Sequence, residues 1–206
     1  MEDFPSILPL DENGIPSIDC NFNNTTISGE HLRQYRVGSF SMLVLNIRSI
    51  RCNFPSFEVF LDSLQHPFDI IVLTEIWLSS SIDCSFDLAG YDNISLYRNS
   101  HGGGIKLYHR TNMSVTSIPQ LTFISECMEL LSVIVSRGSM RFKLLCCYRP
   151  PRTSIAMFNE ELMDSILSTF STNERVILCG DLNINLYNPL DIPCVNIYAM
   201  NYFSGY

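Results

Sequence analysis

Charge is scarce in this chain of 206 residues. Asp, Glu, Lys and Arg make up 17% of it against 46% hydrophobic residues, which excludes a disordered polyelectrolyte and predicts one globular domain with a sizeable core. Basic residues are the scarcer sign, 13 against 21 acidic, for a formal net charge of -8. That balance excludes a protein that coats nucleic acid by charge alone, while leaving room for an enzyme that engages phosphates through a metal ion and a few arginines. No apolar run approaches the ~20 residues needed to span a bilayer. The N-terminus lacks a basic region followed by an apolar one, which argues against a secretory signal and makes the sequons at Asn23, Asn24, Asn93 and Asn112 accidental. Eight cysteines include no CxxC pair, and several sit inside apolar runs. They read as reduced, buried residues of an intracellular protein rather than as a disulfide framework or a zinc site. Gly102, Gly103 and Gly104 lack the spacing and the following helix of a phosphate loop, so they are expected to permit a tight approach between strands. His31 is expected to be solvated, and His101 and His109 to lie at the surface.

What is present is an alternation of apolar strands and amphipathic helices. Residues 1–38 mix Pro, Asn, Asp and Ser without periodicity and are expected to form a poorly structured leader, followed by a domain over 39–206. Phe40 to Ile47 reads as a strand. Phe57, Phe60, Leu61 and Leu64 then mark one helix face, with Pro55 in its first turn and Pro67 just past its end. Phe68 to Leu73 is the next strand, and strand, helix, strand implies a right-handed parallel crossover. Ser79 to Ser100 is rich in Ser, Asp and Asn and is expected to be a surface loop. Ile105 to His109, Val115 to Ile118, Leu130 to Val135 and Phe142 to Cys147 read as strands, with Arg137-Gly138-Ser139 as the hairpin between the last two. Ile155, Phe158, Leu162, Ile166 and Phe170 keep helical spacing. The run from Val176 to Cys179 then reads as a strand covered on both faces.

Five polar residues, Asn46, Glu75, Tyr148, Asp181 and Asn183, stand at or just after the ends of apolar strands, where α/β sheets place their ligands. Each also has an ordinary structural reading. Asn46 can bond a neighbouring loop, Glu75 can pair with an arginine such as Arg98, and Tyr148 can simply pack. Gly180-Asp181-Leu182-Asn183 can be a turn. If the strand stays extended, Asp181 and Asn183 point the same way. Tyr148 beside Arg149 can donate hydrogen bonds to a phosphate.

In series, Leu-Asn-Ile-Arg-Ser-Ile (45–50), Leu-Thr-Glu-Ile-Trp-Leu (73–78), Gly-Gly-Gly-Ile-Lys-Leu-Tyr (102–108), Tyr-Arg-Pro-Pro (148–151) and Gly-Asp-Leu-Asn (180–183) resemble the motifs of the endonuclease/exonuclease/phosphatase superfamily. In particular the series resembles the apurinic-like endonuclease domain of non-LTR (LINE-type) retrotransposons, over roughly 40–205. The resemblance implies a four-layer α/β sandwich of two mixed β-sheets and a nuclease that nicks its DNA target with Mg²⁺ or Mn²⁺. It implies that Glu75 and Asn46 hold the metal, that Asp181 orients or deprotonates the attacking water with Asn183 beside it, and that Tyr148 supports the developing charge at phosphorus. A fused reverse transcriptase would then prime from the freed 3′ hydroxyl, with no membrane partner, and the parent element would act in the nucleus. Pro151 stands where repair members have Asn, which fits the retrotransposon branch. The family's Ser-Asp-His motif has no match, because His31, His66, His101 and His109 all precede Asp181. The resulting expectation is a chain truncated before that motif, with the last strands of one sheet absent. Two rivals stand beside the nuclease: a catalytically dead fragment serving as an interaction module, and a phosphomonoesterase or phospholipase on the same superfold.

Overall fold

Side-chain parity along the strands builds the architecture. In β1 (Met42–Asn46), Met42 and Val44 face one way and Leu43 and Leu45 the other. The same split holds in β2 (Ile70–Thr74), where Ile70 and Val72 oppose Ile71 and Leu73. Leu43, Leu45, Ile71 and Leu73 pack against α1 (Ile50–Leu64) through its buried Ile50, Phe54, Phe57 and Leu64. Each such buried side chain contributes roughly 1.5–3 kcal/mol. The other row meets a second sheet, so the main core lies between two sheets and each sheet carries a helix on its outer face.

The computed structural model describes residues 40–79, 86–167 and 174–184. The expected leader, Phe170 and the tail where the Ser-Asp-His motif finds no match lie outside those residues. Sheet one has the order β1-β2-β4-β3, with β3 at Tyr91–Leu96 and β4 at Ile105–Arg110. β1 and β2 are parallel, and the other two pairings are antiparallel. Sheet two has the order β5-β7-β8-β9, with β5 at Ser114–Ser117, β7 at Glu129–Arg137, β8 at Met140–Tyr148 and β9 at Val176–Asp181. A short β6 (Phe123–Ile124) pairs with β7. β8 and β9 are parallel, joined across α2 (Ile155–Leu167), whose Phe158, Leu162 and Ile166 cover the outer face of sheet two. Both β-α-β units therefore send their parallel strands to the same kind of edge, the carboxyl ends. The expected sandwich of two mixed sheets flanked by helices is what forms.

Several local expectations need correction. The stretch expected as a surface loop contains β3, an edge strand whose Ile94 and Leu96 reach the inter-sheet core. Its Asp, Asn and Ser residues mask the period-two pattern, and pairing with β4 overrides their poor strand propensity. α1 begins at Ile50, well before Pro55, because Asn53 donates its amide to the carbonyls of Ile47 and Arg48 (both 2.9 Å) and so secures the extra turn. β9 is half-buried rather than buried on both faces, since among the described residues it pairs with β8 alone. His109 is buried because β4 runs between β2 and β3. Cys52 is exposed, whereas Cys127, Cys146 and Cys147 are buried and unbonded to one another. No helix among the described residues is long and apolar enough to cross a membrane.

Candidate active site

The inner apolar rows of the four parallel strands, β1, β2, β8 and β9, each end in a polar residue at one rim of the sandwich. Met42 and Val44 lead to Asn46, and Ile70 and Val72 lead to Thr74, immediately before Glu75. Phe142, Leu144 and Cys146 lead to Tyr148, and Ile177 and Cys179 lead to Asp181. Register fixes their neighbours: Asn46 lies beside Thr74 in sheet one, and Tyr148 lies beside Asp181 in sheet two. Two hydrogen bonds then cross between the sheets. Asn46 Nδ2 donates to Asp181 Oδ2 at 2.7 Å, and the Tyr148 hydroxyl donates to Glu75 Oε1. Glu75 Oε2 accepts the indole N–H of Trp77 at 2.5 Å. Residues separated by up to 135 positions in sequence thus share one rim.

Asn183 joins this group by a different route from the expected one. The strand ends at Asp181, and Asn183 takes a left-handed backbone (φ 49), so the two side chains do not continue an extended row. Its backbone N–H donates to Asp181 Oδ1 at 3.1 Å, and its side-chain amide donates to the Arg149 carbonyl at 2.8 Å. The Arg149 guanidinium is buried and donates to the carbonyls of Leu182 (2.7 Å), Thr153 (2.7 Å) and Asn183. Arg149 is therefore a clamp between the exits of β8 and β9.

Glu75 does not pair with Arg98. That arginine bonds Glu129 Oε1 at 3.1 Å, and Glu129 is the residue that sequence reasoning missed. It is fully buried at the start of β7, in register with Tyr148, and its Oε2 accepts the Gly104 N–H at 2.6 Å. The signal was available: Glu129 shares parity with Leu131, Val133 and Val135, so it ends an inner row as the other rim residues do. The expected close approach at the triple glycine is real, since a Cβ on Gly103 would lie 2.0 Å from Glu129 Oε1.

The rim loops hold unusual backbone. Among the described residues, Arg48, Ser49, Glu75, Trp77, Arg152 and Asn183 all have positive φ, leaving only Gln65 of the non-glycine cases elsewhere, at the end of α1. Such conformations cost of order 1–3 kcal/mol each and persist where surrounding structure over-determines them. Here the loop after β1 is laced to the loop after β2, by Ile47 N–H to Thr74 O (3.0 Å), Ser49 N–H to Glu75 O (2.8 Å) and Ile50 N–H to Ile76 O (3.1 Å).

Burial, followed by the hydrogen bond to and charge of Glu75, pushes the Tyr148 hydroxyl well above the ordinary phenol range, so it stays a neutral donor at neutral pH. Burial likewise raises the Glu129 carboxyl above the ordinary glutamate value of 4.5, against the opposing pull of Gly104 N–H and Arg98. A carboxyl whose pKa is higher folded than unfolded contributes stability that is full below the unfolded value and lost as pH rises through the folded one. Glu129→Gln is therefore expected to gain stability relative to wild type between about pH 4 and about pH 7. Urea midpoints of both proteins at the two pH values check this, and a constant difference would contradict it.

Oxygen donors dominate the rim. Among the described residues no three His, Cys, Asp or Glu side chains converge on one point, so any metal here would draw on the Glu75 carboxylate and the Asn46 amide oxygen, completed by water and phosphate. That donor set suits Mg²⁺ or Mn²⁺, which keep several waters, and not zinc. Thr74 supports the fit: its hydroxyl, level with Asn46, is buried and has no partner among the described residues. An orphan of that kind costs about 1–3 kcal/mol until a water or ligand oxygen meets it.

A profile of the Endonuclease/Exonuclease/phosphatase family matches residues 43–192. No curated protein matches the sequence. Among solved structures, the chain is similar to the endonuclease domain of TRAS1, a telomere-specific non-LTR retrotransposon (15% identity, TM-score 0.53), covering 71% of this chain and 60% of that one. It is also similar to D. rerio TDP2 complexed with single strand DNA product (13% identity, TM-score 0.55; 78% and 66% covered). A third is an AP endonuclease from Archaeoglobus fulgidus (15% identity, TM-score 0.54; 74% and 60% covered). Identities this low speak for a shared fold, and the chain spans about three-fifths of the TRAS1 domain.

Proposed function

Because the chain belongs to the endonuclease/exonuclease/phosphatase family, we propose that it is a metal-dependent DNA endonuclease of the non-LTR retrotransposon type, which nicks its target so that a fused reverse transcriptase can prime from the new 3′ end. The reading is carried by one observation: Asn46, Glu75, Tyr148 and Asp181, from four strands in two sheets, are hydrogen-bonded in pairs at one rim.

Glu75 and Asn46 would hold Mg²⁺ or Mn²⁺, which when bound supplies positive charge to a phosphoryl oxygen. Asp181 is the general base. Its Oδ2 accepts from Asn46 and its Oδ1 from the Asn183 N–H, so the carboxylate is held in one orientation toward an attacking water. The water adds to phosphorus in line with the departing 3′ oxygen, its proton passes to Asp181, and the P–O3′ bond breaks; the released 3′ oxygen takes a proton from solvent water, leaving a 3′ hydroxyl and a 5′ phosphate. Tyr148 has one hydroxyl proton, held by Glu75 in the free site; turned to the phosphoryl group, that neutral O–H donates toward the charge growing on its oxygens. The site of action for such an element would be the nucleus.

An acidic chain needs local positive charge to approach DNA. Arg48, Arg51 and Arg152 are exposed and lie on the rim loops or the first turn of α1. The basic reading is tested by incubating purified protein with supercoiled plasmid, with Mg²⁺ and with EDTA: open-circle product with Mg²⁺ alone is expected, and none in either condition would reject the nuclease. Replacing Arg48 and Arg152 together by alanine should weaken duplex binding and reduce the slope of log affinity against log salt by about 2, one unit per lost phosphate contact. Fluorescence anisotropy across a salt series measures that slope, and an unchanged slope places the DNA elsewhere.

A further inference from the structure

Glu129 touches none of the five residues above through a hydrogen bond, yet it is fully buried beside them, an expensive position for a carboxylate. Its two oxygens bind Arg98 and the Gly104 N–H, at 3.1 and 2.6 Å. From there the connection runs through backbone. The Gly104 carbonyl accepts the Ile76 N–H at 3.3 Å, and the Gly103 carbonyl accepts the Trp77 N–H at 3.0 Å. Ile76 and Trp77 follow Glu75 directly, and the Trp77 indole in turn donates to the Glu75 carboxylate. Glu75 and Trp77 both hold φ values, 58 and 54, in the left-handed region that L residues seldom adopt.

We propose that Glu129 is a positioning residue: through the Gly103–Gly104 backbone it fixes the strained loop of Ile76 and Trp77, and so sets where the Glu75 carboxylate points at the rim. The inference rests on the nuclease reading only for what Glu75 does, not for how it is held. Gly103 fits this role, because any side chain there would strike Glu129 and Arg98 and separate the two layers.

Trp77 is the chain's only tryptophan, so its emission reports the Glu75 loop directly. Glu75→Ala, which removes the indole's acceptor, defines the full emission change. Glu129→Ala should move the emission in the same direction by at least half as much, and Glu129→Gln, which keeps an acceptor for the Gly104 N–H, should restore most of the wild-type spectrum. A cooperatively melting Glu129→Ala with wild-type emission would overturn the proposal. If Glu129→Ala does not melt cooperatively, Arg98→Met decides. Arg98 is about one-third exposed (32%), so its loss leaves the core intact while releasing one oxygen of Glu129. An intermediate emission shift supports the proposal and no shift overturns it. In plasmid nicking, Glu129→Ala or Arg98→Met should lower kcat about 10- to 100-fold with KM for DNA unchanged. A raised KM at constant kcat would overturn the positioning role. Absence of nicking by the wild-type protein would reject the nuclease and leave the emission result standing.

Discussion

Glu75→Ala and, separately, Asp181→Ala should each lower the Mg²⁺-dependent plasmid nicking rate by ~10³-fold or more, the scale of loss when a group acting on the transition state is removed. Glu75 supplies the carboxylate at the end of β2, and its loss also leaves the Tyr148 hydroxyl and the Trp77 indole without their acceptor. Asp181, the proposed base, also anchors Asn46 and the Asn183 backbone. Initial rates at saturating Mg²⁺, with melting curves to show that the variants fold, provide the measurement. Nicking by either variant within tenfold of wild type would remove that residue from the mechanism. Tyr148→Phe keeps the ring and loses only the donor, so a smaller loss, about 10- to 100-fold, is expected from it.

The largest effect on stability is expected at Gly180. Its φ of +136 suits glycine alone, and a Cβ there would lie 1.8 Å from the Cys147 carbonyl oxygen and 2.9 Å from the Cys147 nitrogen. These are backbone atoms of β8, fixed by pairing on both sides with β7 and β9 and unable to yield as a flexible side chain would. Gly180→Ala therefore combines a forbidden conformation with overpacking, for a cost of about 4 kcal/mol or more. Gly138 is the comparison: it also has positive φ, 59, but sits in a hairpin turn with open space around its Cα. Gly138→Ala should lose only the conformational part, about 1 kcal/mol. Urea denaturation of the two variants separates the effects, and equal midpoints would contradict the close approach of β9 to β8. Because Gly180 immediately precedes Asp181, loss of this approach also displaces the proposed base.

Much of the fold was legible because burial on a strand has period two. The runs leading to Asn46, Glu75, Tyr148 and Asp181 were visible as apolar stretches ending in polar residues, and the first β-α-β unit followed from strand, helix, strand order. β3 was not visible, since its polar composition matches a loop and only pairing with β4 makes it a strand. The start of α1 was hidden by Pro55, which local rules place in a first turn.

The sequence by itself determined which faces of most strands and helices are apolar and that Asn46, Glu75, Tyr148 and Asp181 close apolar runs, because these properties depend on neighbours a few positions away. The tertiary structure alone decided who partners whom: that Arg98 takes Glu129 and leaves Glu75 to Tyr148 and Trp77, and that Arg149 clamps two loops. An ion pair or a strained loop is selected by groups that arrive from distant segments when two sheets close on one another, and no local pattern carries that distance.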